Sequence, residues 1–117
     1  MPPYDRNNVF ARILRGELPC KKVYEDEFAL AFHDIHPQAP VHVLLIPRKH
    51  IASLAHLSAG EERLLGHLHA VAKKIAEEKG LNKGFRTVMN TGEDGGQTVD
   101  HMHLHLLGGR SMHWPPG

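Results

Sequence analysis

The sequence predicts a single α+β domain, a five-stranded, mainly antiparallel sheet with two helices. Three observations lead to it. The 117 residues make one domain, and such a chain hides roughly two-thirds of its extended surface, enough for one modest core. Short β-rich runs recur between turn residues, mostly in hairpin order. A single long amphipathic stretch interrupts them.

The elements follow in chain order. Asn8 is a plausible N-cap, and Val9, Phe10, Ile13 and Leu14 recur at helical spacing up to Gly16, giving a short first helix. Lys22 to Glu25 and Phe28 to Phe32, separated by Asp26-Glu27, read as a hairpin. Pro37 and Pro40 bracket a turn before a strand from Val41 to Ile46, which Pro47 stops. The clearest helix is expected to begin at Ser58, where Ser58-Ala59-Gly60-Glu61 matches a capping box. Leu64, Leu65, Leu68, Val71, Ala72 and Ile75 form its apolar stripe, and Gly80 is its left-handed stop. Phe85 to Met89 is a fourth strand. The glycine-rich loop Thr91 to Gly96 leads to a fifth, from about Asp100 to Leu107.

Composition narrows the class. Hydrophobic residues make up 41% and charged residues 23%, as in ordinary globular chains. No apolar run reaches the ~20 residues that cross a bilayer, so no membrane partner is expected. Met1 to Arg6 has no hydrophobic run behind it and does not read as a signal peptide. The single Cys20 cannot form an internal disulfide and reads as inert, which fits a cytoplasmic protein. The 14 Lys and Arg are interleaved with 13 Asp and Glu, leaving no basic stripe for a nucleic-acid polymer. Histidine is the outlier, with 11 copies spread along the chain. It serves as metal ligand, general base or nucleophile, and position decides between them.

His101-Met102-His103-Leu104-His105-Leu106-Leu107 alternates polar and apolar. On a strand, alternate side chains face opposite ways, so three imidazoles line one face and Met102, Leu104 and Leu106 point into a core. Folding needs the apolar side and has no use for three histidines on the other. Three readings of that face stay open. Two histidines at i and i+2 can share a zinc ion, though three in a row span about 14 Å between outer Cα atoms, too far for one metal to take all three. One imidazole can attack phosphorus while the others orient it or move protons. The histidines can also simply coat a solvated face. Gly95-Gly96-Gln97-Thr98 immediately upstream favours phosphate chemistry, because a glycine-rich turn can aim backbone N–H groups at an anion.

The run from Asp94 to Arg110 resembles the signature of the histidine-triad superfamily, His-φ-His-φ-His-φ-φ with φ apolar. Phe32-His33-Asp34-Ile35, Pro37 to His42, Ile46 to His50 and the ending Met112-His113-Trp114-Pro115-Pro116-Gly117 resemble its histidine-triad nucleotide-binding branch. The resemblance covers nearly the whole chain and implies one domain over residues 1–117. It also implies a homodimer whose two sheets join into one of ten strands, with the tail from 108 to 117 contributing to dimer and site. The implied activity is hydrolysis of purine nucleoside 5′-phosphoramidates, and of acyl-nucleotides, through a nucleotidyl-histidine intermediate with no metal or cofactor.

Carried onto this chain, the resemblance makes His103 the nucleophile, with His101 and His105 helping to place the phosphate. His42 holds the His103 ring in the right tautomer, and Asp34 accepts hydrogen bonds from the ribose. Asn90, Gln97 and Thr98 contact the phosphate or leaving group. Phe10, Ile13, Phe32 and Ile35 wall the base, and Trp114 reaches the neighbouring protomer's site. Two positions depart from the branch pattern: Thr98 stands where Ser is usual and Asp100 where Tyr is common. The Gly-Gln-Thr-Val wording also occurs in the fragile-histidine-triad branch, which cleaves dinucleoside polyphosphates. Gly108-Gly109-Arg110 and the Trp-Pro-Pro tail favour the nucleotide-binding branch. A non-catalytic nucleotide- or zinc-binding module is the reading from another class. His56, His67 and His69 read as surface residues and His33 and His50 as structural.

Overall fold

The computed structural model describes residues 3–117. Helix α1, Val9–Leu14, is followed by strands β1, Lys22–Glu25, β2, Ala29–His33, and β3, Val41–Pro47. A 3₁₀ turn at Leu54–His56 leads to helix α2, Glu62–Glu78, and then strands β4, Phe85–Val88, and β5, Leu104–Gly108. All four neighbouring pairs in the sheet are antiparallel, in the order β1-β2-β3-β5-β4. The expected five strands and two helices are therefore present. None of the described helices is long and apolar enough to cross a membrane.

The sheet divides two apolar clusters of different size. On one face α2 lays Leu68, Val71, Ala72, Ile75 and Ala76 against Val43, Leu45, Met102, Leu104 and Leu106, the main core. On the other face Phe10 of α1 packs with Leu30, Phe32, Leu44 and Ile46. Helix α1 is short, and its Asn8 side chain accepts from the Ala11 N–H at 2.9 Å, satisfying one of the helix's free donors. That cap fixes where Phe10 enters the small cluster. The histidine-bearing end of the molecule lies on this second face.

Three element starts differ from expectation, each for a local reason, while the ends of β2, β3, β4 and β5 shift by one residue, β3 running through Pro47. Helix α2 starts at Glu62 rather than Ser58, because Gly60 has φ 89°, a left-handed value no helix can run through. Half of the capping box survives: the Glu61 carboxylate accepts from the Ser58 N–H at 2.6 Å. Strand β2 starts at Ala29, since the Asp26 carboxylate takes both the Phe28 and Ala29 N–H groups at 2.8 Å and keeps Phe28 in the turn. Strand β5 starts at Leu104, because its last pair with β3 is Leu45 to Leu104 and the ladder ends there. The alternation of side chains still runs back through Met102, which is buried in the core with Leu104 and Leu106.

Candidate active site

The register of β3 and β5 builds the site. His42 lies opposite Leu107 and Leu44 opposite His105, so His42 and His105 are diagonal neighbours on one face. Their rings meet with His42 Nε2 2.9 Å from His105 Nδ1. His103, one step along on the same face, has its ring centre 5.1 Å from that of His105. Phe10 meets the His103 ring edge-on at 4.9 Å.

Hydrogen-bond partners assign every tautomer in the array. The Gln38 N–H donates to His42 Nδ1 at 3.0 Å, so a neutral His42 carries its proton on Nε2 and donates it to His105 Nδ1. The His105 proton is then on Nε2. His103 Nδ1–H donates to the His101 carbonyl at 2.7 Å, leaving the Nε2 lone pair free. His101 Nε2–H donates to the Pro47 carbonyl at 2.8 Å, and its Nδ1 accepts from the Tyr4 hydroxyl at 2.5 Å. This last arrangement is possible because residues 101–103 have left the ladder. The Met102 N–H turns instead to the Ile51 carbonyl, at 2.7 Å, and the His101 carbonyl is left for the His103 ring.

Burial pushes all four imidazoles below their ordinary value of 6.5. His101 falls to about 4, chiefly by desolvation and opposed by its hydrogen bond to Pro47. His105 also falls to about 4, by desolvation and then by His103 and His42 beside it. His103 and His42 are lowered by burial too. All four are neutral at pH 7, as a nucleophile and a relay of hydrogen bonds require. A stability effect follows. Between about pH 4 and 6.5 the unfolded chain binds protons that folded His101 and His105 refuse. Stability is therefore full above pH 6.5 and falls as the pH is lowered through this window. Urea midpoints at pH 7 and pH 5 check it: the midpoint should be lower at pH 5.

The other expected residues are distributed unevenly. Asp34, just past β2, has its Oδ1 held by the His36 N–H at 2.7 Å and its Oδ2 3.4 Å from His42 Nε2. Phe10 and Phe32 pack edge-on at 5.7 Å, and Ile13 leans on the same cluster. Ile35 does not join them; it is 87% exposed. Asn90 is half-buried beyond β4 and Thr98 is exposed before the triad. Trp114 is 82% exposed in a tail whose His113 carbonyl accepts from Arg86.

Four expectations are corrected. His42 sets the tautomer of His105, whereas the His101 carbonyl sets that of His103. His101 is fully buried with both ring nitrogens bonded inside the protein, so it has none to offer a phosphate. The glycine-rich loop bonds to itself: Gly96 N–H donates to Glu93, Gln97 N–H to Gly92, and Gly92 N–H to the Gln97 side chain. A Cβ on Gly95 would lie 2.2 Å from the Thr91 carbonyl oxygen, so the glycine there serves loop closure. The Gln97 amide N–H group donates to the Ala52 and Val99 carbonyls, which commits that side chain to bracing the loop.

Tyr4 was not found from the sequence, and His50 was read only as structural. The Tyr4 ring stacks on His50, with centres 4.5 Å apart, while its hydroxyl reaches His101. No periodicity marks a lone tyrosine before the first helix, so only the fold brings it to the triad.

One carboxylate oxygen of Asp34 and one ring nitrogen each of His42 and His105 lie within 4.8 Å of one another, a donor set of the kind divalent metals accept. A metal there would compete with the His42–His105 hydrogen bond. A separate cavity of about 550 Å³ lies between the β1–β2 turn and α2, and no triad residue lines it. Its Lys49 and Arg48 are paired with Glu61 and Glu25.

The HIT domain family model matches residues 15–112. A HIT-like protein of Synechococcus elongatus is 55% identical over 95% of this chain and 97% of its own length. A crystal structure of a HIT family hydrolase from Legionella pneumophila is 50% identical, with a TM-score of 0.92 over 95% of this chain and 100% of that one. A histidine triad nucleotide-binding protein from Candida albicans is 31% identical, with a TM-score of 0.80 over 93% of this chain and 83% of that one. With one family's model spanning most of its length and relatives of the same family along nearly all of it, the chain belongs to the HIT domain family.

Proposed function

We propose that the protein hydrolyses the P–N bond of purine nucleoside 5′-phosphoramidates, and acyl-nucleotides, through a nucleotidyl-His103 intermediate. The observation that carries this reading is the bond from His103 Nδ1–H to the His101 carbonyl, which leaves a neutral Nε2 lone pair on a fixed ring. In the first step that lone pair forms an N–P bond as the bond from phosphorus to the leaving amine breaks. The amine departs with a proton delivered from water across the Thr98 hydroxyl, since an unprotonated amine leaves phosphorus poorly. The cation formed on His103 keeps its Nδ1–H on the His101 carbonyl. Water then attacks phosphorus and gives up a proton, which neutralises the hydroxide left when the amine was protonated; the N–P bond to His103 breaks, His103 returns to its neutral form, and the nucleoside monophosphate is released. His105 Nε2–H, held in that tautomer by His42, donates to a phosphate oxygen. Asp34 Oδ2 accepts from the ribose, and Phe10, Phe32 and Ile13 meet the base.

Two structural neighbours support the class, one a HIT family hydrolase and the other a histidine triad nucleotide-binding protein. A homodimer formed along β4 accompanies the proposal. β4 is a sheet edge and carries the half-exposed Phe85, whereas the other edge, β1, has an irregular register and charged ends. Such a dimer would place the exposed Trp114 near a partner.

The alternative substrate is a dinucleoside polyphosphate. Steady-state hydrolysis of adenosine 5′-phosphoramidate and of diadenosine polyphosphate, both with chelator, separates the two. The expected result is a kcat/KM at least about 100-fold higher for the phosphoramidate, a difference of nearly 3 kcal/mol in barrier. Preference for the polyphosphate would overturn the proposal.

A further inference from the structure

The His101 side chain is clamped at both ends, and one clamp comes from outside the triad. Its Nε2–H is on the Pro47 carbonyl at the end of β3, and its Nδ1 receives the Tyr4 hydroxyl. Tyr4 belongs to the segment before α1, and its ring is stacked on His50 at 4.5 Å with an interplanar angle of 13°. The same ring meets His101 edge-on at 5.7 Å. Phe10 completes the surround, edge-on to both His101 and His103. The peptide that leaves His101 has its N–H on Ile51 and its carbonyl on the nucleophile's ring. The His101 ring and the carbonyl that orients His103 thus belong to one residue, fixed at its side chain by Pro47 and Tyr4 and at its peptide by Ile51 and His103.

We propose that Tyr4 is a positioning residue for the nucleophile: its hydroxyl, on Nδ1 opposite the Pro47 carbonyl on Nε2, holds the neutral His101 in place and with it the carbonyl that orients His103. This rests on His103 being the nucleophile, as proposed above. Tyr4 touches no reacting atom and acts through His101.

The donor direction has one consistent solution. His101 Nε2 must donate, because a backbone carbonyl has no proton to give, so a neutral His101 has only an acceptor left at Nδ1. Burial raises the Tyr4 phenol above its ordinary value, so it keeps its proton and donates. A hydrogen bond into the lone pair favours the neutral imidazole. The titratable groups around His101 are Tyr4 before α1, His50 after β3, and His103 on its own strand. Neither neighbouring imidazole stabilises a proton on His101.

The test is Tyr4→Phe, which keeps the ring and its stack on His50 but removes the donor. Imidazole ¹⁵N–¹H spectra across pH would be recorded on both proteins, alongside kcat and KM for adenosine 5′-phosphoramidate. In Tyr4→Phe, His101 should titrate at a higher pH than in the wild type, and the His103 Nδ1–H signal should exchange faster with water. The kcat should fall about tenfold, the worth of one ordinary hydrogen bond, with KM changed less than about twofold. Superimposable His101 and His103 titrations would overturn the proposal whatever the rates show. So would an unchanged kcat in an active enzyme. If the wild type does not turn over phosphoramidates, the function reading fails, and the His103 Nδ1–H signal alone decides whether Tyr4 positions that ring.

Discussion

Replacing His103 by alanine is expected to lower phosphoramidate turnover by about 10⁴-fold or more while leaving the fold intact. Losses of this order follow when a covalent nucleophile is removed, and what remains reflects binding and electrostatics alone. No other imidazole of the array can take over. His101 has both nitrogens bonded inside the protein, and His105 and His42 each have Nδ1 occupied by a donor. Only His103 holds a free, neutral lone pair on a ring fixed by a backbone carbonyl. Circular dichroism should superimpose with the wild type, because the His103 side chain bonds only to a neighbouring carbonyl and packs on Phe10. Substantial turnover by the variant would move the chemistry to another residue.

The second large effect concerns the opposite side of the same strand. Leu106→Ala should destabilise the protein by about 3 kcal/mol, within the range for deleting a buried leucine side chain and leaving a cavity. Leu106 is fully buried, pairs with Val43 on β3 and Thr87 on β4, and sits in the cluster that α2 covers. The loss is a large share of a domain's stability, on the order of 5–15 kcal/mol. Urea unfolding should show a lower midpoint with an unchanged slope. Turnover per folded molecule should change little, since Leu106 and the histidines face opposite ways. A drop in kcat as large as that of His103→Ala would mean that core and site are not separable.

What the sequence revealed and what it hid divide along a physical line. Period-two alternation over residues 101–107 placed Met102, Leu104 and Leu106 in the core and the histidines on the other face, because side-chain direction depends only on backbone extension. The same alternation could not show that the ladder stops at Leu104, beyond which the Met102 N–H turns to the Ile51 carbonyl although β3 runs on to Pro47. Asn8 was legible as a cap because a cap is a contact within three residues. Tyr4 was invisible because its partner lies 97 residues away. The glycines at 95 and 96 were legible as a turn, but which donors the turn consumes depends on Gln97 folding back onto Gly92 and out to Ala52. His42 was assigned to the wrong ring for a related reason. The β3–β5 register sets it diagonal to His105, and a register is not written in either strand alone.

The account's central claim is that His103 becomes covalently bonded to phosphorus. Rapid mixing of the enzyme with adenosine 5′-phosphoramidate, quenching under denaturing conditions that preserve a phosphoramidate bond, and peptide mass spectrometry test it most directly. The account predicts one adenylyl group on the peptide containing His103, fragmenting at that residue and missing from His103→Ala. Turnover with no adduct in the burst phase, or an adduct on His101 or His105, would contradict it.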